Sequence, residues 1–115
     1  MTDSSPAPPA IITAECVVPI DSLWFSGHFP GNPILPGVAQ LEMAATTIAR
    51  SYGKNLYVAR LSRVKFKSLA HPGEALLIEA WPGAEAGAFT FSIRAGEREV
   101  CRGNMILSEK NGENT

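Results

Sequence analysis

Hydrophobic positions along this chain change their period once, and the change separates one helix from a set of strands. From Val38 to about Tyr52 the apolar residues Val38, Leu41, Ala45, Ile48, Ala49 and Tyr52 return every three or four positions, with Gln40, Thr47, Arg50 and Ser51 opposite them. This spacing predicts a single amphipathic helix. Pro36-Gly37 marks its start, Gly53 suits the position just past its end, and Arg50 and Lys54 complement the negative end of its dipole. The other face carries Ala39, Ala44 and Thr46, small enough for a sheet to wrap closely around it.

The remaining ordered segments read as strands. Ile11 to Ile20 is rich in Val, Ile and Thr and stops at Pro19. Leu56 to Leu69, Ala75 to Trp81, Ala88 to Ala95 and Glu99 to Ser108 are β-branched or aromatic, and are separated by His-Pro-Gly-Glu, Pro-Gly-Ala-Glu-Ala-Gly and Ala-Gly-Glu-Arg turns. Phe89, Phe91 and Ile93 alternate on one side. Asp21 to Gly37 is different: Gly27, Pro30, Gly31, Pro33, Pro36 and Gly37 exclude a helix or a long strand and predict a shaped loop. The order strand, loop, helix and four strands implies an α+β fold with an antiparallel sheet packed on one long helix. The expected organisation is a disordered tail over residues 1–10, one domain over 11–109 and a flexible C-terminus over 110–115.

Composition narrows the function class. Hydrophobic residues make up 45% and charged residues 18% of 115 positions, which suits a globular domain. A domain this small leaves much surface exposed, which favours oligomerisation. A formal charge of −1 gives no case for nucleic acid or a membrane surface. No apolar run approaches the roughly 18 residues of a membrane span, and the N-terminus is acidic and proline-rich where a signal peptide would be basic then apolar, so a cytoplasmic location is expected. Cys16 and Cys101 lie far apart with no C-x-x-C spacing, which points to two buried thiols and no metal site.

The chemistry concentrates in one stretch, Gly27-His28-Phe29-Pro30-Gly31-Asn32-Pro33-Ile34-Leu35-Pro36-Gly37-Val38-Ala39-Gln40-Leu41-Glu42. It resembles the signature of 3-hydroxyacyl-[acyl carrier protein] dehydratases, in which a GHFPG turn leads through PGV into a helix bearing a carboxylate. A weaker echo is Val64-Lys65-Phe66-Lys67 followed by His71-Pro72-Gly73-Glu74. The approach Trp24-Phe25-Ser26-Gly27-His28 and the run Leu35 to Leu41 look more like a short branch that includes dehydratases of aryl polyene biosynthesis. The resemblance implies the hot-dog fold, a helix swathed in a curved antiparallel sheet. It also implies a dimer whose site takes His28 from one subunit and Glu42 from the other, and a (3R)-hydroxyacyl substrate carried on phosphopantetheine, with neither metal nor diffusible cofactor.

These residue types suit the reaction. Dehydration of a 3-hydroxyacyl thioester needs a base for a Cα proton, an acid for the departing hydroxyl, and stabilisation of charge on the thioester oxygen. Neutral histidine accepts a proton near pH 7, which makes His28 the candidate base. Glu42 falls about 40° from Val38 on a wheel of 100° per residue. Its carboxyl is expected to face the interior, where partial burial would raise its pKa as proton donation requires. The amides of Gly37 and Val38, unpaired at a helix start, are the candidate oxyanion donors, and Gly37 lets a thioester approach without a Cβ in the way. A lone turn histidine is usually structural, as is a glutamate near a helix start; the linked spacing favours function here. His71 is read as a turn support, Trp24, Phe25 and Phe29 as tunnel lining or core, and Trp81 and Phe89 as core.

Between Met43 and Gly73 there is no acidic residue, yet Arg50, Lys54, Arg60, Arg63, Lys65 and Lys67 all fall there. Strand alternation puts Arg63, Lys65 and Lys67 on one face, a candidate docking surface for an acidic acyl carrier protein or else a solvated face. Partners are therefore an acyl carrier protein or acyl thioester and a second subunit, as a homodimer, a higher oligomer or a heterodimer. Two alternatives stay open: an acyl thioesterase, and a non-catalytic acyl-binding subunit of a heterodimeric dehydratase.

Overall fold

A computed structural model of the chain describes residues 11–18 and 35–110. The two expected terminal tails, apart from Lys110, and the loop from Asp21 to residue 34 lie outside the described residues. The elements are β1 (Ile12–Val17), α1 (Gly37–Tyr52), β2 (Leu56–Phe66), β3 (Ala75–Pro82), β4 (Ala88–Ala95) and β5 (Arg98–Glu109). The strands form one antiparallel sheet in the order β1-β3-β4-β5-β2, and α1 packs against β1, β2, β3 and β4. This is the expected arrangement of one long helix on an antiparallel sheet.

Alternation along the strands builds the core in rows that cross the sheet. Ile12, Ala80, Phe91 and Gly103 stand opposite one another, as do Ala14, Ile78, Ile93, Cys101 and Phe66 in the next row. Phe91, Ile93, Ile78, Cys101 and, beneath the helix, Ile48 are fully buried, so the helix and sheet share one apolar interior. The far end of α1 closes in a left-handed turn at Gly53 (φ 65°), whose N–H reaches the Arg50 carbonyl while that of Lys54 reaches Ala49. Glycine tolerates that φ without the steric cost other residues meet. Tyr52 meets Phe89 edge to face at 5.8 Å between ring centroids and pins this end to β4.

Two expectations about packing are corrected. The buried face of α1 is Ala39, Gln40, Ala44 and Ile48, whereas Val38 and Tyr52 of the apolar stripe are 63% and 48% exposed. Small side chains let the helix lie close to the sheet, so the Ala-rich face turns inward together with Ile48, while Val38 and Tyr52 at the ends of the stripe are left outside. The second correction concerns β2, which ends at Phe66 instead of Leu69 and carries two one-residue bulges. Ala59 is unpaired at the first, and Arg63 and Val64 together face Gly103 at the second, with Arg63 at φ 55°. Each inserted residue shifts the alternation by one position, which a strict period of two does not anticipate. Cys101 is buried as expected, while Cys16 on the edge strand is only half-buried. Among the described residues, no helix is long and apolar enough to cross a membrane.

Candidate active site

The start of α1 is the chemically distinctive point. Pro36 occupies the cap position in an extended conformation (φ −64°, ψ 153°), with no side chain capping the helix. Its carbonyl accepts from Ala39 and Gln40 at 3.1 and 3.2 Å, whereas the N–H groups of Gly37 and Val38 have no acceptor among the described residues. Two amides and the positive end of a sixteen-residue helix therefore converge on one spot. Proline contributes by lacking an N–H of its own and by fixing the backbone that leads into the helix.

Glycine at 37 leaves room for a close neighbour. A Cβ built there would lie 2.8 Å from Cζ and 2.9 Å from Cε1 of Phe66. The Phe66 ring thus rests on the helix start, 52% exposed, at the end of the row that runs through Ile93 and Cys101. The sequence-level expectation left this space for substrate; in the structure an aromatic ring forms part of its wall. The bulge at Arg63–Val64 aims that ring, because it places Phe66 rather than Lys65 on the helix side of the sheet.

Glu42 corrects an expectation too. Its side chain is exposed and lines an open groove of about 970 Å³ between α1 and β2, together with Val38, Leu41, Ala45, Leu56 and Leu61. The carboxylate follows the unburied stripe of the helix, so it faces this groove and not the chain's own interior. Val38 and Glu42 open onto the same groove, which brings one candidate amide and the candidate acid together. His28, with Trp24, Phe25 and Phe29, lies outside the described residues. Gln40, two residues before Glu42, is buried and donates from Nε2 to the Leu35 carbonyl at 3.2 Å; its Oε1 has no partner among the described residues.

The basic row is partly rearranged. Arg63 and Lys65 line a shallow depression with Arg102, Thr90 and Asn104. Lys67 instead forms an ion pair with Glu99 at 3.1 Å, and Glu99 also accepts from Ser92 at 3.1 Å. The Lys67 ammonium, the Ser92 hydroxyl and the nearby Arg102 hold the Glu99 carboxyl below the ordinary carboxylate range. Sequence reasoning missed Arg102 as a member of this surface. The signal was present: Arg102 is an outward position of an alternating strand and stands directly across from Lys65. His71 plays its expected part, its N–H donating to Glu74 Oε1 at 3.0 Å within the His-Pro-Gly-Glu turn.

Known proteins resemble this chain in both sequence and shape. Residues 4–104 match the family model described as ApeI-like, ApeI dehydratase. A 3-hydroxyacyl-[acyl-carrier-protein] dehydratase FabZ of Caldicellulosiruptor saccharolyticus is 41% identical over 104 residues, covering 81% of this chain and 74% of that protein. The FabZ of Syntrophomonas wolfei is 32% identical over 99 residues, covering 77% and 69%. Among solved structures, the dehydratase heterocomplex ApeI:P from Xenorhabdus doucetiae superposes with a TM-score of 0.76 at 24% identity, covering 92% of this chain and 93% of that one. The fluoroacetyl-CoA-specific thioesterase FlK superposes with a TM-score of 0.71 at 15% identity, covering 94% and 99%. Both likenesses bear on the fold, which is the hot-dog fold.

Proposed function

The chain belongs to the ApeI-like dehydratase family, and from that premise we propose that it converts (3R)-hydroxyacyl-[acyl carrier protein] to the trans-2-enoyl thioester in fatty acid or polyene biosynthesis. The observation that carries this reading is the helix start, where Val38 and Glu42 line one groove beside an apolar wall and the Gly37 and Val38 amides have no acceptor among the described residues. Neutral His28 takes the Cα proton. The electron pair moves toward the thioester carbonyl, whose oxygen is received by the Gly37 and Val38 N–H groups and the helix dipole. Collapse of the enolate forms the Cα–Cβ double bond and expels the β-hydroxyl, which leaves as water with a proton from Glu42. The acyl chain reaches the site on phosphopantetheine, and once water and product have left, the proton held by His28 returns to Glu42, which restores both groups for the next turnover.

A second copy of the chain completes the site in this reading. In one copy Glu42 is exposed, the groove is open, and β2 is an edge of the sheet carrying exposed Tyr57 and Leu61. Pairing across β2 would cover these residues and enclose the groove, bringing His28 against the carboxylate of the neighbour and drying the cleft in which the charges interact. The carrier docks on Arg63, Lys65 and Arg102. Lys67, already neutralised by Glu99, contributes less.

Incubation of the purified protein with a 3-hydroxyacyl carrier substrate, resolved by mass, tests the reaction. Loss of one water with the thioester intact is expected, whereas free acid and thiol would replace dehydration with hydrolysis. Activity only on addition of a second, different subunit would identify this chain as one half of a heterodimer. Charge reversal at Lys65 and Arg102 should lower turnover of the carrier-bound substrate more than that of a pantetheine analogue; equal losses on both would remove the docking surface.

A further inference from the structure

Arg63 holds a backbone conformation that its side chain makes costly. At φ 55° it is the one non-glycine position with positive φ among the described residues. It opens the second bulge of β2, where Arg63 and Val64 share the partner position Gly103, between the pairs Ser62–Asn104 and Lys65–Arg102. A bulge with a left-handed first residue is ordinarily built with glycine, because a Cβ crowds the following carbonyl oxygen there. Val64 packs against the core and over Gly103, where an added Cβ would lie 2.8 Å from Val64 Cγ2. The left-handed turn leaves Arg63 on the outer face with Lys65 and Arg102, in a depression of about 320 Å³ completed by Thr90, Gly103 and Asn104.

The uncommitted charged and amide groups of this depression are all donors. Thr90 Oγ1 donates to Asn104 Oδ1 at 3.0 Å, which occupies the Asn104 acceptor and leaves its Nδ2 hydrogens without a partner among the described residues. Arg63 and Lys65 form no ion pair among the described residues. Arg102 approaches Glu99 only through Nε, at 3.9 Å, and Glu99 is already held by Lys67 and Ser92 at 3.1 Å each. Two guanidinium forks, an ammonium and an amide therefore face one hollow. They match an anion with three or more acceptor oxygens, which a phosphate group offers and a carboxylate does not.

We propose that this depression binds the phosphate of the phosphopantetheine arm, with Arg63 as its specificity-determining residue. The inference rests on the dehydratase reading and narrows its docking surface from an acidic carrier in general to one phosphate on the prosthetic group. Lys65 precedes Phe66, whose ring covers Gly37, so consecutive residues of β2 face the depression and the helix start from opposite sides of one strand. β2 ends at Phe66. An arm anchored in the depression rounds that end to bring its thioester to the Gly37 and Val38 amides. Backbone strain persists where function holds it in place, and at Arg63 it supplies the third cation.

Calorimetry on the full-length protein compares phosphopantetheine, pantetheine and inorganic phosphate as ligands of the wild type, Arg63→Gly and Arg102→Met. The wild type should bind phosphopantetheine about tenfold or more tightly than pantetheine. Arg63→Gly should lose most of that ratio while its thermal midpoint stays level or rises, since glycine relieves the backbone. Arg102→Met, which leaves the bulge intact, should lose it as well. Equal binding of the two ligands by the wild type overturns the proposal, as does a ratio unchanged in Arg63→Gly. Inorganic phosphate binding as tightly as phosphopantetheine overturns the assignment to the arm. A fall in the Arg63→Gly midpoint of more than about 5 °C overturns the strain argument and marks Arg63 as structural. Turnover of 3-hydroxyacyl-phosphopantetheine and 3-hydroxyacyl-pantetheine keeps the two readings apart: a lower KM at equal kcat is expected for the phosphorylated substrate. If neither is dehydrated while the binding ratio persists, the dehydratase reading falls and the phosphate site stands.

Discussion

Gly37→Ala should separate stability from catalysis. The new Cβ would sit 2.8 Å from Phe66 Cζ, and carbon atoms pack best near 3.5 Å or beyond, so the ring tip must withdraw by roughly 0.7 Å. Phe66 is half-exposed at the end of its strand, and a swing of about 10° supplies that displacement at a cost well under about 1 kcal/mol. Alanine in place of glycine returns up to about 1 kcal/mol of backbone entropy in a helix. The two effects nearly cancel, and the melting midpoint should stay within about 5 °C of the wild type. Catalysis should not survive as well. The methyl group and the displaced ring crowd the approach to the Gly37 and Val38 amides, and loss of one such donor typically costs about a hundredfold in kcat. Thermal denaturation followed by circular dichroism measures the first effect and enoyl thioester formation the second. A stable Gly37→Ala protein with turnover within about threefold of wild type would refute the oxyanion role, and a loss beyond about 2 kcal/mol in stability would refute the packing argument.

Other consequences follow from the same geometry. In Gly103→Ala the added Cβ would lie 2.8 Å from Val64 Cγ2 and 2.9 Å from Val64 Cα; backbone cannot swing aside, so denaturant unfolding should show a loss of about 1–3 kcal/mol. The His71 N–H and the Arg98 guanidinium hold the Glu74 carboxyl below the usual range. That stabilisation is complete above the unfolded carboxylate pKa near about 4 and disappears as pH falls through the lower folded value. Denaturation midpoints of Glu74→Gln should therefore decline less steeply than wild type over this acid window, and parallel curves would contradict the assignment. Burial, with the Glu99 charge as a lesser cause, pushes the Cys101 thiol up to about 12, and burial also raises that of the half-buried Cys16. Alkylation of the native protein at neutral pH should reach Cys16 first and Cys101 only on unfolding; peptide mass mapping that found equal labelling would count against the described core.

Much of the fold was legible because each element carries its own period and its own stops. The helix begins one residue before Val38 and ends at Tyr52, β4 spans Ala88–Ala95 as read, and the Gly53 cap is where the sequence placed it. The choice of buried face was not legible. A helical stripe states that Val38, Leu41 and Ala45 want a neighbour, but not that Leu41 and Ala45 reach the core only in part while Val38 stays exposed. Glu42 was misplaced for the same reason, since it borders that stripe. The bulges in β2 escaped because no local residue preference announces Ala59 or Arg63 as an insertion; each is set by the partner strand, the first between Leu107 and Ile106 and the second at Gly103. The pairing of Lys67 with Glu99 runs across the sheet, a contact that charge counting along one strand does not reveal. In the candidate site, the amides of Gly37 and Val38 followed from Pro36 and the helix period, while Phe66 as their cover depended on the register of β2 against β5.

In the proposed enzyme each dehydration site is shared between two copies, with His28 from one and Glu42 from the other. Coexpression of His28→Ala with Glu42→Ala, each assembling into an inactive homodimer, tests it most directly. A mixed dimer with shared sites contains one intact His28–Glu42 pair and one doubly substituted pair, so random mixing should restore enoyl thioester formation to about a quarter of the wild-type rate. Sites built within single chains would leave every site with one defect, and a mixture as inactive as its parents would contradict the account.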